Sequence, residues 1–532
     1  MYLKLKSYRF FFYLNFFFTY IYNFKYFRIF SNYLYKIYDE KNFTNDKSKI
    51  LVELNFLHSS LIINSFLLKK ILERNKSEIV LYRTLYSNNF FIKILLKFFY
   101  FFKIDIFLIY RRVFNLKKII YPVIDKNSYK LNTLFIEVCS KLKSKKDVEN
   151  IKIKDIYIGD LIYDSYLRIY NEPTIIFDKK FYKFLRKSLS YFIFWENYLN
   201  RNKVKAVIIS HSVYVSAILL RIAVKKNIPV YISTLSNIYK LSEKNFFPFE
   251  EFKKYPITFS KLKKNEKQKA INLSKKRLLL RFRGKVGVDM HYSTKSSYTN
   301  NFKTRLIKNS HKIKILIATH CFFDSPHSYG KNLFCDFYEW LEYLGKLSIK
   351  TDYDWYIKLH PDYHPLTLKV INGFLKRYSK FNLLPSDSSH HQIINEGINF
   401  VLTVYGSIGH EYPLFNVPVI NASINNPHIK YSFNIHPKNI SHYKKIILNL
   451  KNIKYKINKK KVYEYYYMAF LYKTEKESLI KINQVLKYVG GYHNQFTSKI
   501  YKYWILHYKK NILLEKKIEQ FINNKRSYSL YI

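Results

Sequence analysis

Between Trp355 and Asn421 the apolar residues fall into compact runs, each stopped abruptly by polar or turn-forming residues. Trp355 to Leu359 stops at His360-Pro361, Phe400 to Val404 stops at Tyr405-Gly406-Ser407, and Val417 to Asn421 closes the stretch. Short apolar runs alternating with helix-compatible polar segments predict βαβ units and a parallel sheet, with one polar, His-rich helix between the first two strands. Ligands of such sheets bind beyond the carboxyl ends of the strands. His360, Gly406, Ser407 and Glu411 lie at or just after those ends, which places the expected site there.

The same pattern recurs elsewhere. Val204 to Ser210 reads as a strand ending at His211, followed by a helix from Tyr214 to Lys226 and a strand from Pro229 to Ser233. Glu78 to Leu85 is a further strand. The alternating Ile151 to Ile158 predicts another, with Asp160 and Asp164 just past its end. Lys312 to Ala318 is a strand, its following loop carries His320, Asp324 and His327 and ends at Gly330, and a helix is expected from Leu333 to Lys346. Phe252 to Arg283 is a basic stretch with one apolar helical face. Residues 284–311 read as an interdomain connection. Beyond Ser441 the chain predicts Lys- and Tyr-rich helices, including a long closing helix across both domains. The fold class is therefore α/β, with two Rossmann-like domains (1–305 and 306–445) whose parallel sheets face a cleft, and a C-terminal helical region (446–532). No glycine-rich turn follows a strand, which excludes the GxGxxG dinucleotide fingerprint.

Composition changes this picture little. The chain carries 92 Lys and Arg against 37 Asp and Glu, a net charge of +55. Tyr (52) and Phe (45) are abundant while Gly (11) and Pro (13) are scarce, the joint bias an AT-rich coding sequence produces. Most of the charge then reads as solvated lysine, the remainder as affinity for an anionic membrane surface, anionic substrates or nucleic acid. No RRM, KH, OB or helix-turn-helix pattern is present, so nucleic acid is not an expected partner. Three cysteines without CxxC spacing suggest neither a disulfide framework nor a zinc site and fit a reducing compartment. The aromatic run Phe10 to Tyr22 is too short to span a bilayer, and Phe90 to Tyr110 is interrupted by charge. Both read as buried or interfacial. The expected location is cytoplasmic, with a peripheral contact on the inner face of the membrane.

The strand ends carry the candidate chemistry. Pro361 biases His360 towards extended geometry, holding its imidazole at the strand exit, where it can donate to a phosphate. Lys358 precedes it by two residues. Gly406-Ser407 offers backbone N–H groups and a hydroxyl to an anion, and Glu411 can accept from a ribose diol. Asp160 either caps a helix or serves as a general base, and His211 either faces a substrate or belongs to the core. Asp352-x-Asp354 precedes a strand instead of following one, and the spacings of His320, His327, His360, His410, His428 and His436 match no ligand pattern. No metal is expected.

YIKLHPD followed by TVYGSIGHEYPLFNVPVINAS resembles the donor-binding half of GT-B glycosyltransferases, above all the bacterial capsule and surface-polysaccharide biosynthesis proteins with their Kdo-transferase-like members. HCFFDSPHSYGKNLFCDFYEWL, IGDLIYDSYLR and NNPHIKYSFNIHPKN carry the likeness further, from about residue 150 to 440. The resemblance implies a metal-independent transferase using a nucleotide-sugar co-substrate and no other cofactor, acting on a polysaccharide or glycolipid acceptor. It implies that His360 and Ser407 contact the donor phosphate, with Lys358 and Gly406 beside them, and that Glu411 holds the ribose. Asp160 is the first candidate for the base and Asp324 the second. His211, His320, His327 and His428 are further site candidates. A polyol-phosphate transferase of similar fold, or a non-catalytic membrane- or nucleic-acid-binding protein, is the alternative.

Overall fold

The computed structural model describes residues 2–37, 47–54, 57–83, 113, 119–122, 128–243, 247–248, 250–476, 479–508, 512–524 and 528–532. Phe90 to Tyr110 lies outside them. Two sheets organise the chain. The first contains β1 (Lys49–Glu53), β2 (Glu78–Tyr82), β3 (Ile119–Ile120), β6 (Val204–Ile209), β7 (Val230–Ser233), β8 (Asn237–Leu241) and β14 (Ser529–Tyr531). A small antiparallel hairpin, β4 (Lys152–Ile153) with β5 (Ile156–Tyr157), stands apart. The second sheet contains β9 (Ile313–Ala318), β10 (Tyr353–Lys358), β11 (Phe381–Leu383), β12 (Phe400–Thr403) and β13 (Val419–Asn421).

Strand order is the decisive feature. The second sheet runs β11-β10-β9-β12-β13 and every pairing is parallel. The first runs β14-β8-β7-β6-β1-β2-β3, with β3, β2, β1, β6 and β7 parallel and β8 and β14 antiparallel at one edge. Both parallel cores thus have the doubly wound order, in which the chain reverses direction across the sheet between its first and fourth strands. That reversal falls between β1 and β6 in the first sheet and between β9 and β12 in the second. Near-continuous apolar strands such as β10, with Trp355, Tyr356 and Ile357 fully buried, are what a sheet covered on both faces requires. In the first domain one face packs on the helices Gly159–Tyr170, Lys179–Arg201 and Ile218–Lys225. The other packs on His58–Asn75, part of the first helix Tyr2–Ile37, and the C-terminal helices.

Several sequence expectations are corrected. The alternating stretch from Ile151 is a hairpin, not a sheet strand: Lys154 and Asp155 have φ of 49° and 63°, the left-handed pair that a tight two-residue turn demands. The predicted single helix between His360 and Phe400 is helix Thr367–Arg377, strand β11 and helix His390–Asn395. The helix expected from Leu333 begins at Phe337, where the Asp336 carboxylate accepts from the Glu339 N–H. No long closing helix is present among the described residues. Lys459–Tyr466 and the wider turn Tyr467–Leu471 pack on helix Lys264–Phe282, whereas Ile482–Val489, Lys499–Tyr508 and Ile512–Asn523 return to the first domain.

Candidate functional site

The direction reversal of the second sheet opens between the loops after β9 and β12, and the sequence-predicted residues gather there. His320, just past β9, lies against Phe337 and Tyr405, with ring centroids at 4.7 and 4.8 Å. Its Nε2 accepts the Val404 N–H at 3.2 Å and lies 3.1 Å from the Thr403 hydroxyl. Burial pushes its pKa down to about 3, so the ring is neutral at physiological pH. A Cβ at Gly406 would sit 3.0 Å from Thr403 Oγ1 and 3.6 Å from the His320 ring, so the turn runs flush against that imidazole. Ser407 begins the short helix Ile408–Glu411, yet its hydroxyl makes no capping bond. His360 is exposed at the end of β10, its Nδ1 accepting the Asp362 N–H at 3.0 Å. Charges on Lys358, Glu411 and Arg281 reach it. Lys358 itself is buried and donates to the Ser386 carbonyl at 2.8 Å. Burial lowers its pKa to about 8. His360 follows β10 and Gly406-Ser407 follows β12, so they lie at one rim, the carboxyl edge of the parallel sheet, on either side of β9.

Glu411 belongs to the same rim but is already engaged. Arg281 Nε donates to its Oε1 at 2.8 Å, and the Tyr298 hydroxyl donates to Oε2 at 2.5 Å. Despite complete burial, the Arg281 charge holds this carboxyl down at about 2. In this arrangement the acid anchors the interdomain segment instead of presenting its oxygens to a ribose. That segment was expected to be a plain connection, but it runs along the carboxyl edge of the second sheet. The Thr294 N–H and hydroxyl donate to Asp362, the Ser389 N–H donates to the Asn300 carbonyl at 2.7 Å, and the His390 N–H donates to the Ser297 carbonyl at 2.8 Å.

The first sheet turns its own reversal towards this rim. Past β6, the Tyr214 hydroxyl donates at 2.5 Å to Asp324, on the loop after β9, and Arg168 lies 3.6 Å from the same carboxylate. Asp324 keeps a side chain 47% exposed. His211 is exposed beside it, within reach of the Arg168 and Asp324 charges. Asp160 does not reach the junction as a base. It opens the helix Gly159–Tyr170, is buried, and holds Arg221 at 2.7 Å. Such a pair is fixed, since removing either partner strands a buried charge.

A carboxyl that sequence reading missed stands at this reversal. Glu53 ends β1, in register with Tyr82 at the end of β2, and its Oε2 accepts the N–H and hydroxyl of Ser210 at 2.6 and 2.8 Å. It is only 6% exposed, and burial raises its pKa from 4.5 to about 7. Because the folded value is the higher one, the native state favours the protonated form. Stability is full below about pH 4.5 and falls by on the order of 3 kcal/mol as the pH rises through 7. Glu53→Gln, which can still accept from Ser210, should flatten the melting temperature between pH 5 and 8 and exceed wild type at pH 8. An unchanged pH profile would count against the buried charge.

Two predicted histidines serve the frame. His327 is buried between the domains, with Nδ1 2.5 Å from Asp164 and Nε2 3.3 Å from Glu149. The two carboxylates raise its pKa to about 10. His428 lies under Gly409, whose added Cβ would meet its ring at 2.6 Å, and packs on Tyr465. Burial drives its pKa well below the ordinary value, so it remains neutral core. Asp352 and Asp354 sit at the opposite end of β10, tied to Lys312 and Ser310. Among the described residues no group of three or more His, Cys, Asp or Glu side chains could hold a metal.

No family model and no curated protein sequence matches the chain. Solved structures do. The β-Kdo 2,4 transferase KpsC of Thermosulfurimonas dismutans is similar over 50% of this chain and 79% of its own, at 12% identity and a TM-score of 0.30. The UDP-GlcNAc 2-epimerase of Methanocaldococcus jannaschii, in complex with UDP-GlcNAc and UDP, covers 78% of this chain and 97% of its own, at 13% identity and a TM-score of 0.25. Anabaena Alr3699/HepE, in complex with UDP and glucose, covers 82% and 97%, at 11% identity and a TM-score of 0.24. The fold class itself is read from the two sheets. The architecture is GT-B-like.

Proposed function

We infer that the chain is a metal-independent glycosyltransferase that moves a sugar from a nucleotide-sugar donor to a growing surface polysaccharide or glycolipid. The observation carrying this reading is the meeting of two sheet-reversal crevices at one junction. One offers an exposed imidazole, an uncapped hydroxyl turn and the accessible Asp324 carboxylate, and the other brings Tyr214 and Arg168 to that carboxylate. In this reading the donor phosphate lies against Gly406-Ser407, with His360 donating to it and the buried Lys358 ammonium adding positive potential from beneath. Those groups stabilise charge building on the departing phosphate oxygen. Asp324 takes the proton of the acceptor hydroxyl, whose oxygen bonds to the anomeric carbon as the carbon–phosphate-oxygen bond breaks. Tyr214 and Arg168 hold that carboxylate in place.

The experiment is a thermal-shift series with CMP, CDP, UDP and GDP, followed by product analysis with labelled sugars of whichever nucleotide binds. A ligand specific to the native state at one hundred times its Kd should stabilise by about 2.7 kcal/mol. Failure of all four to raise the melting temperature would remove the donor site. Transfer from CDP-glycerol in preference to any nucleotide sugar would replace the sugar reading with polyol-phosphate transfer. Asp324→Asn is expected to cut turnover by about two orders of magnitude without weakening nucleotide binding, as loss of a general base does. Activity undiminished by EDTA would support the metal-free chemistry.

A further inference from the structure

The helix Tyr2–Ile37 buries one face and leaves another to solvent. Phe27, Phe30 and Leu34 are fully buried, the two phenyl rings lying 5.2 and 5.1 Å from Tyr501. On the other side Phe18, Ile21 and Tyr22 are 63%, 47% and 83% exposed, with Lys25 and Arg28 exposed in the next two turns. Single exposed apolar residues are ordinary. Here three adjoin on one helix face, which a chain with no partner for that face would hold at a cost in solvation. The surface continues onto the C-terminal helices. The Lys502 ammonium lies 5.5 Å over the Tyr26 ring and within electrostatic reach of Tyr22 and Tyr488, and Leu506 is exposed one turn beyond.

Basic charge adjoins the exposed apolar residues on this surface. None of the helices Tyr2–Ile37, Ile482–Val489 and Lys499–Tyr508 contains an aspartate or glutamate. Farther along the chain, Lys69 and Lys70 are matched by Glu515. Glu515 also lies near Tyr33, towards the other end of the long helix. Two copies of an acid-free basic face repel each other, so a second copy of this chain is a poor occupant. The partner must be anionic, and it must also take up bulky aromatic and aliphatic side chains. An anionic bilayer surface does both: Lys and Arg remain at the headgroups while Phe, Tyr and Ile enter the interface.

We propose that Phe18, Ile21 and Tyr22, flanked by Lys25, Arg28 and Lys502, form a docking face for an anionic lipid bilayer. No helix among the described residues is long and apolar enough to cross a membrane. This face would hold the enzyme where a lipid-linked acceptor lies, which rests on the transferase reading. The docking itself does not.

The test is co-sedimentation of the full chain with vesicles of phosphatidylcholine alone and of phosphatidylcholine containing 30 mol% phosphatidylglycerol, without any nucleotide. Binding to the anionic vesicles only, weakening with salt, is expected. Each Lys or Arg near such a surface is worth about a fivefold change in affinity, so Lys25→Gln/Lys502→Gln should lose ~25-fold. Phe18→Ser/Ile21→Ser/Tyr22→Ser should abolish binding. The melting temperature of each variant, measured beside wild type, separates lost binding from lost folding. Variants that melt normally but bind like wild type would overturn the proposal, as would a wild-type chain indifferent to lipid charge. Tighter binding to a single-stranded oligonucleotide through the same residues would overturn it in favour of nucleic acid. Vesicle binding without any nucleotide-induced thermal shift would leave the docking face standing and the transferase reading fallen.

Discussion

His360→Ala is expected to lower turnover by roughly two to three orders of magnitude while the protein stays folded, the loss that follows removal of one donor aimed at developing charge. The structural reason is separable from stability. His360 is exposed, and among the described residues its ring accepts the Asp362 N–H, a group that water can satisfy once the ring is gone. The effect should fall on turnover more than on nucleotide affinity, because the Ser407 turn would still hold the ground-state phosphate. A kcat/KM comparison with His360→Gln checks it. Near-normal turnover in His360→Ala would remove the imidazole from the mechanism.

The second large effect is on the frame. His327→Ala should cost about 3–5 kcal/mol of stability at neutral pH, since it leaves Asp164 buried without its cation, while Glu149 retains Lys146. These groups come from different domains, with Tyr163 and Thr174 bonded to Asp336 alongside them at 2.5 and 2.6 Å. The sign with pH follows from the raised value. The histidine's contribution is full below about pH 6.5 and is lost progressively as the pH rises from there through about 10. Chemical denaturation of wild type and variant at pH 7 and pH 10.5 should show the gap closing. A constant gap would assign the loss to packing alone.

What could be read in advance follows from signal length. β6, β7, β9, β10, β12 and β13 are apolar runs ended by polar or turn residues, and their positions and parallel sense were legible. β1, KILVE, begins and ends with charge, so it merged into the aromatic and lysine background, and Glu53 was lost with it. β11 has three residues and was absorbed into a helix. The hairpin at Lys152–Tyr157 mimics a strand because its two short arms share one alternating pattern. Its turn uses Lys154 and Asp155, with no glycine to mark it. That error carried Asp160 to a sheet edge it does not occupy. At the site, His360, Gly406 and Ser407 were legible because each interrupts a strand. The engagement of Glu411 was not, since Arg281 and Tyr298 lie 130 and 113 residues earlier and no local pattern links them.

If the donor site proposed above holds, the pairing of Glu411 with Arg281 and Tyr298 couples ligand occupancy to interdomain geometry. Any nucleoside whose sugar hydroxyls compete for that carboxylate must loosen the segment joining the domains. By reciprocity, loosening the segment first, as in Tyr298→Phe, must alter the nucleoside's affinity by the same factor. On that reading the segment that ties the halves together competes with the ligand for Glu411, and the tightness of the tie sets how much donor displaces it.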